Sequence, residues 1–281
     1  MVFFFADWRP RRSVLFVPAS NARAIAKSAT LGADVLIFDL EDSVASAERG
    51  AARANLADLP TKESARERIV RIHRPDHEAF RDDIAAALTA HPDAILVPKV
   101  ETANHLAAVR EIAPGIPLWA MVETPLALLN LGEIAAAPGL ACLVLGPNDL
   151  ARSTGVAMRP GRAAMIPWFM SVIAAARAHR LCVLDGVFNA FADAAGFAAE
   201  CGQAAELGID GKTLIHPSQV EPANRAFSPD PAELDHARAI CAAFARPENA
   251  ARGAISLDGE MIERLHLEQA ERLLATFASS R

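Results

Sequence analysis

Apolar residues along this chain fall in short dense runs separated by alanine-rich stretches with helical spacing, and the alternation repeats eight times. The runs are SVLFVP (13–18), VLIFDLE (35–41), IVRIH (69–73), AILVPK (94–99), PLWAMVE (117–123), ACLVLG (141–146), LCVLD (181–185) and TLIH (213–216). Each has strand length and strand composition. NARAIAKSATL, the 46–58 segment, EAFRDDIAAALTA, ANHLAAVREIA, LALLNLGEIAAA, 161–179 and 192–207 supply helices between them. Eight strands alternating with helices predict a closed parallel α/β barrel, a TIM (β/α)8 barrel, over residues 11–245. Within it, 218–245 reads as helical; beyond it, 246–281 forms a C-terminal helical extension. The stretch RPENAARGAISLDGE reads there as irregular and 260–277 as an amphipathic helix, together a lid or an arm that clasps a neighbouring subunit.

The alternation inside the strands places charge where a barrel interior normally carries branched aliphatics. Leu36, Phe38 and Leu40 share one face, suited to packing under helices, so Asp39 and Glu41 point inward. Val70 and Ile72 do the same around Arg71. Lys99, Glu123 and Asp185 end their runs, and Asp149 follows the sixth in what reads as a loop, GPND. Charge on so many carboxyl ends marks that rim as a candidate active site. Glu123 and Asp149 hang from adjacent strands, a spacing that suits one hard cation such as magnesium, which takes one or two carboxylates and completes its shell with water and substrate oxygens. Helix capping or pairing with arginine is the competing reading of each acid. Arg71 offers a fork of donors to an enolate or carboxylate oxygen and equally a partner to Asp39 or Glu41; the two roles can coexist. Arg23 and Lys27 lie four apart on one face of the first helix. His216, before Pro217, reads as a strand-end hydrogen bonder, and Glu263 with His266 as an incomplete metal pair.

Composition narrows the classes. The 281 residues are 52% hydrophobic and 22% charged, as in an ordinary globular enzyme. A formal net charge of −6 without a basic run argues against a nucleic-acid partner. No segment approaches a membrane span, and the apolar start of MVFFFADWRPRRS is too short for a signal peptide. Cysteines 142, 182, 201 and 241 show no paired spacing and read as buried small residues in a reducing cytoplasm.

The stretches RRSVLFVPASNARAIAKSATLGADVLIFDLEDSVASAERGAAR, VRIHRP, ILVPKVET, MVETPLALLNLGEIAA, VLGPNDLA and DGKTLIHPSQVEPANRAFSP together resemble the citrate lyase beta subunit-like branch of the HpcH/HpaI aldolase/citrate lyase superfamily, from about residue 11 to residue 272. The resemblance implies a barrel assembled as a homotrimer or hexamer. It also implies a magnesium-dependent carbon–carbon lyase acting on a 3-hydroxyacyl-CoA thioester such as citryl-, malyl- or citramalyl-CoA, with manganese as a possible substitute. By that similarity Glu123 and Asp149 hold the metal, Glu41 and Asp42 hold its waters, and Arg71 meets the thioester oxygen or oxo-acid carboxylate. Arg23 and Lys27 meet coenzyme A phosphates, Phe16, Pro18, His216 and Pro217 line its site, and Asp39 and Asp185 belong to the supporting polar network. Glu263 stands where the family has an acid/base Asp on an arm from a neighbouring subunit, His73 where it has Asn, Ala19 where it has Gly, and Phe16 where some relatives have Tyr. An aldolase on free 4-hydroxy-2-oxo acids, an acyl-CoA thioesterase and a weakly active acyl-CoA- or oxo-acid-binding subunit are the alternative readings.

Overall fold

The computed structural model describes residues 9–59 and 66–277, excepting the side chain of Thr276. These form two compact units, one of Arg11–Phe227 and the other of residues 9–10 with 228–277. In the larger unit, strands β1 (Ser13–Pro18), β2 (Val35–Asp39), β3 (Glu67–Arg71), β4 (Ala94–Val97), β5 (Leu118–Val122), β6 (Leu140–Leu145), β7 (Cys182–Asp185) and β8 (Gly211–Leu214) pair in sequence order, and β8 returns to β1. Every pairing is parallel. The expected TIM barrel is therefore present.

Helices α1 (Ala22–Ser28), α2 (Arg49–Asn55), α3 (Phe80–Thr89), α4 (Ala103–Ile112), α5 (Pro125–Leu129), α6 (Leu131–Ala135), α7 (Pro147–Thr154), α8 (Ile166–Ala178), α9 (Ala194–Glu206) and α10 (Val220–Ala226) connect or follow the strands. Leu36, Phe38 and Leu40, and likewise Val70 and Ile72, join the apolar layer between strands and helices, as their alternation requires. Burying each such side chain contributes roughly 1.5–3 kcal/mol. The opposite faces turn inward. Trp119 is fully buried there under the Arg11 guanidinium, 5.1 Å from its ring centroid, and Arg11 pairs with Glu67 at 2.5 Å.

Three local expectations change. GPND is not a loop: Pro147 opens α7, so Asp149 lies in a first helical turn, where proline costs no hydrogen bond and an acid meets the positive end of the helix dipole. The segment 218–245 is two helices, α10 and α11 (Pro231–Phe244), and α11 groups with the C-terminal unit rather than with the barrel. Ala237, Ile240, Ala243 and Phe244 of α11 share a small core with Ile255, Ile262 and Ala270, which moves the compact boundary earlier than 245. Finally, 260–277 is not one helix. Strands β9 (Ala254–Leu257) and β10 (Glu260–Glu263) form an antiparallel hairpin, and α12 (Arg264–Phe277) follows. Asp258 (φ 51°) and Gly259 (φ 88°) make its two-residue turn, the backbone that an Asp-Gly pair favours.

Gly211 closes the barrel between β8 and β1, and a Cβ there would lie 1.9 Å from the carbonyl oxygen of Arg11. Because that neighbour is backbone, Gly211→Ala is expected to cost about 3 kcal/mol or more. Urea unfolding measures this; an unchanged midpoint contradicts it.

Candidate active site

The carboxyl ends of β2, β3, β4 and β5 bring one charged cluster together. Asp39 closes β2 and Arg71 closes β3, at matching register positions. Arg71 Nε and Nη2 donate to the two Asp39 carboxylate oxygens at 2.6 and 2.7 Å, and Asp39 also accepts from the backbone N–H groups of Glu41 and Ser43 at 2.9 and 3.0 Å. Burial alone would raise the Asp39 pKa, but Arg71 and these donors outweigh it and hold the carboxyl below its ordinary value. Arg71 is itself pushed upward against the cost of burial, chiefly by Asp39. Its guanidinium carbon sits 4.7 Å from the Phe16 ring centroid, a cation–π contact that fixes the fork's plane. The pairing reading of Arg71 is thus present: two donors are committed to Asp39, while Nη1 lies 3.6 Å from Met121 Sδ and 3.2 Å from Glu41 Oε2.

Glu41 lies just past β2 and is buried. Its Oε1 takes the Lys99 ammonium, which also approaches Asp42 Oδ1 at 3.4 Å. Glu41 Oε2 receives no aligned hydrogen bond, so the mouth contains a buried acceptor with capacity left over. Burial raises the Glu41 pKa against the opposition of Arg71 and Lys99, while the hydrogen bond to Glu41 raises that of Lys99 against burial. β4 ends at Val97, and Lys99 adopts a left-handed backbone at φ 50°. Its N–H donates to Glu123 Oε1 at 2.7 Å. Glu123 follows β5 and is almost wholly buried. Burial, opposed by Arg71 and reinforced by Glu41, pushes its pKa up to about 7. Its side chain rests on Gly146, where a Cβ would fall 2.3 Å from Glu123 Cβ and 2.5 Å from Oε2.

Asp149 stands three residues after Gly146, in α7, with its carboxylate 2.7 Å from the exposed Arg152. Among the described residues no three His, Cys, Asp or Glu side chains are grouped to share one ion. The donor set still fits a hard cation. It consists of carboxylate oxygens, one of them buried without a hydrogen bond, and a magnesium ion needs only one or two from the protein.

The other sequence candidates are distributed differently. Pro18 ends β1; Arg23 and Lys27 stand exposed on α1, with no ion pair to another described residue. His216 caps the turn that Pro217 opens, with Nδ1 2.7 Å from Ser218 Oγ, and its ring stacks on the exposed Phe191 at 4.8 Å. Asp185 shares the alternation of Val183, which packs toward the helices, so it faces away from the barrel interior. Burial would raise its pKa, but Lys212 at 2.7 Å and Arg162 at 2.8 Å lower it. Glu200 completes that buried knot, which charge counting along strand ends does not separate from the mouth. Glu263 belongs to the C-terminal unit, at the end of β10, where its N–H donates to His266 Nδ1 at 2.9 Å. The sequence reading gave no role to Asp83, which holds His73 at 2.5 Å. The charged residue on an inner turn of α3 was the available signal.

Comparison with known proteins agrees with this architecture. The family described as HpcH/HpaI aldolase/citrate lyase matches residues 12–217. A (3S)-malyl-CoA thioesterase of Cereibacter sphaeroides is 48% identical over 268 residues, covering 95% of this chain and 94% of the relative. The citrate lyase subunit beta of Escherichia coli is 32% identical, covering 95% and 93%. The solved structure of CitE from Mycobacterium tuberculosis in complex with magnesium, acetoacetate and coenzyme A superposes with a TM-score of 0.79 at 32% identity, covering 95% of this chain and 97% of that one. With barrel, charged mouth and sequence in agreement, the chain belongs to the HpcH/HpaI aldolase/citrate lyase family, as a member of its citrate lyase beta-like branch.

Proposed function

We propose that this protein is a divalent-cation-dependent enzyme acting on a 3-hydroxyacyl-CoA thioester of the malyl-CoA class, and that thioester hydrolysis is its principal outcome. The observation that carries this reading is the 48% identity, across 95% of the chain, with a (3S)-malyl-CoA thioesterase. The charged mouth supports it, since a short acyl group bearing hydroxyl and carboxylate needs fixed cations and a hard metal rather than an apolar slot. Carbon–carbon cleavage is the second reading, favoured by the citrate lyase beta relatives.

Glu123 and Asp149 would hold the cation, magnesium by analogy with the CitE complexes, and Glu41 with Asp42 would accept from its waters. Bound there, such an ion supplies a Lewis acid for substrate oxygens. Arg71, kept rigid by Asp39 and Phe16, turns Nη1 toward the acyl group and stabilises negative charge as it develops on the carbonyl oxygen. Lys99 neutralises Glu41 and Asp42, so that an anionic substrate enters without facing uncompensated carboxylates. Arg23 and Lys27, exposed and unpaired among the described residues, offer charge to coenzyme A phosphates, with Phe16, Pro18, His216 and Pro217 as its further contacts. The protein works as a homo-oligomer, a trimer or hexamer, in the cytoplasm, and Glu263 acts from the arm of a neighbouring subunit. Among the described residues no helix is long and apolar enough to cross a membrane.

Purified protein given malyl-CoA and magnesium is expected to release free thiol and malate in equal amounts. Acetyl-CoA and glyoxylate appearing instead would establish the lyase reading, and neither product from any of the malyl-, citramalyl- or citryl-CoA thioesters would sink both. Chelation by EDTA should abolish turnover and added magnesium restore it. Asp149→Ala is expected to lower kcat by about a hundredfold or more through loss of that electrostatic support. Arg71→Lys should reduce kcat/KM at least about tenfold, because an ammonium cannot span both Asp39 oxygens and still present a donor to the substrate. Steady-state kinetics on folded variants, checked by circular dichroism, measures both.

A further inference from the structure

Beside the acidic cluster lies a cavity of about 410 Å³, lined by Glu41, Asp42, Arg49, His73, His77 and Lys99 among others. His73 lies two residues beyond Arg71, just past the end of β3. Its imidazole is held from behind. Nδ1 lies 2.5 Å from Asp83 Oδ2, and the His73 backbone N–H donates to the same oxygen at 3.0 Å. Asp83 is 1% exposed, and its other oxygen accepts from Arg53 Nε at 2.8 Å. Burial would raise the Asp83 pKa, but the hydrogen bonds from His73 and Arg53 outweigh it, so Asp83 stays ionised as an acceptor. His77 stacks against the His73 ring, with centroids 4.2 Å apart.

An ionised carboxylate on Nδ1 fixes the tautomer with the proton on that nitrogen, leaving Nε2 as the basic one. Nε2 has no hydrogen-bond partner among the described residues, although the ring lines the cavity. Of the other acids here, Asp39 is bound by Arg71 and Asp149 by Arg152, Glu41 gives Oε1 to Lys99, and Glu123, the proposed cation ligand, accepts the Lys99 backbone N–H. A carboxylate fixed by arginine, orienting an imidazole whose second nitrogen opens into a substrate-sized space, is the arrangement of a general base.

We propose that His73, oriented by Asp83, is the base that activates the hydrolytic water. This inference rests on the hydrolytic reading above and names, within the same chain, the base for its water. Nε2 removes a proton from water as the water oxygen bonds to the thioester carbonyl carbon. The carbon–sulfur bond then breaks, and the imidazolium returns the proton to the departing thiolate, giving the carboxylic acid and coenzyme A thiol. No oxidant or further reactant is needed.

The test measures thiol release from malyl-CoA, with magnesium present, by wild type and by His73→Gln, His73→Gly and Asp83→Asn. For both His73 variants kcat is expected to fall about a hundredfold or more, and KM to change less than roughly threefold. Added imidazole should restore part of the His73→Gly rate, and Asp83→Asn should show a smaller kcat loss. Retention of the wild-type rate by His73→Gln overturns the proposal. So does a loss that imidazole leaves unrepaired while thermal unfolding shows a lowered Tm, because that marks a purely structural histidine. Wild type that releases no thiol refutes the hydrolytic reading itself, and this role with it, and is told apart by the wild-type arm alone.

Discussion

The mouth of this barrel depends on one buried ion pair, the two-pronged contact of Arg71 with Asp39. Neither charge is tolerable there alone. Removing one partner from such a pair typically costs about 3–5 kcal/mol, because the survivor is left buried and uncompensated. Each also holds something else in place: Asp39 gathers the backbone leaving β2, and Arg71 turns Nη1 toward Glu41 and Met121. Lys99 and Glu123 then follow as a second layer, connected through Glu41 and through a backbone N–H. The result is a polar lattice at the carboxyl ends of β2 to β5.

A second charged knot, Asp185 with Arg162, Lys212 and Glu200, lies on the helix-facing side of β7 and β8. Its chemistry resembles that of the mouth, and its role differs. Lys212 donates to Asp185, Glu200 and the Gly186 carbonyl, so all three ammonium hydrogens are spent on the scaffold. Gly186 in turn packs against Pro147 at the head of α7. The knot therefore anchors the turn that precedes the helix carrying Asp149, and reaches the mouth through backbone rather than by contact.

Much of this was legible in the chain. Strand alternation gives the inward direction of Asp39 and Arg71, because a two-residue period and a covering helix layer leave no other place for Leu36, Phe38 and Val70. What alternation cannot supply is pairing. Nothing local says that Asp185 meets Lys212 or that Asp83 reaches back to His73. Those facts arise from which helices lie over which strands. The hairpin of β9 and β10 is a different case: Asp258-Gly259 between apolar runs is a strong local turn signal, obscured by the helical periodicity that follows it.

Lys99 satisfies two demands through different atoms. Its backbone, at positive φ, presents an N–H to Glu123, while its ammonium neutralises Glu41. The conformation alone would favour glycine or asparagine, and the charge alone could be carried by a lysine on many neighbouring positions. Requiring both at one residue ties the loop's shape to the mouth's electrical balance: a replacement chosen to relax the chain unmasks two acids, and one chosen to keep the charge retains the backbone strain.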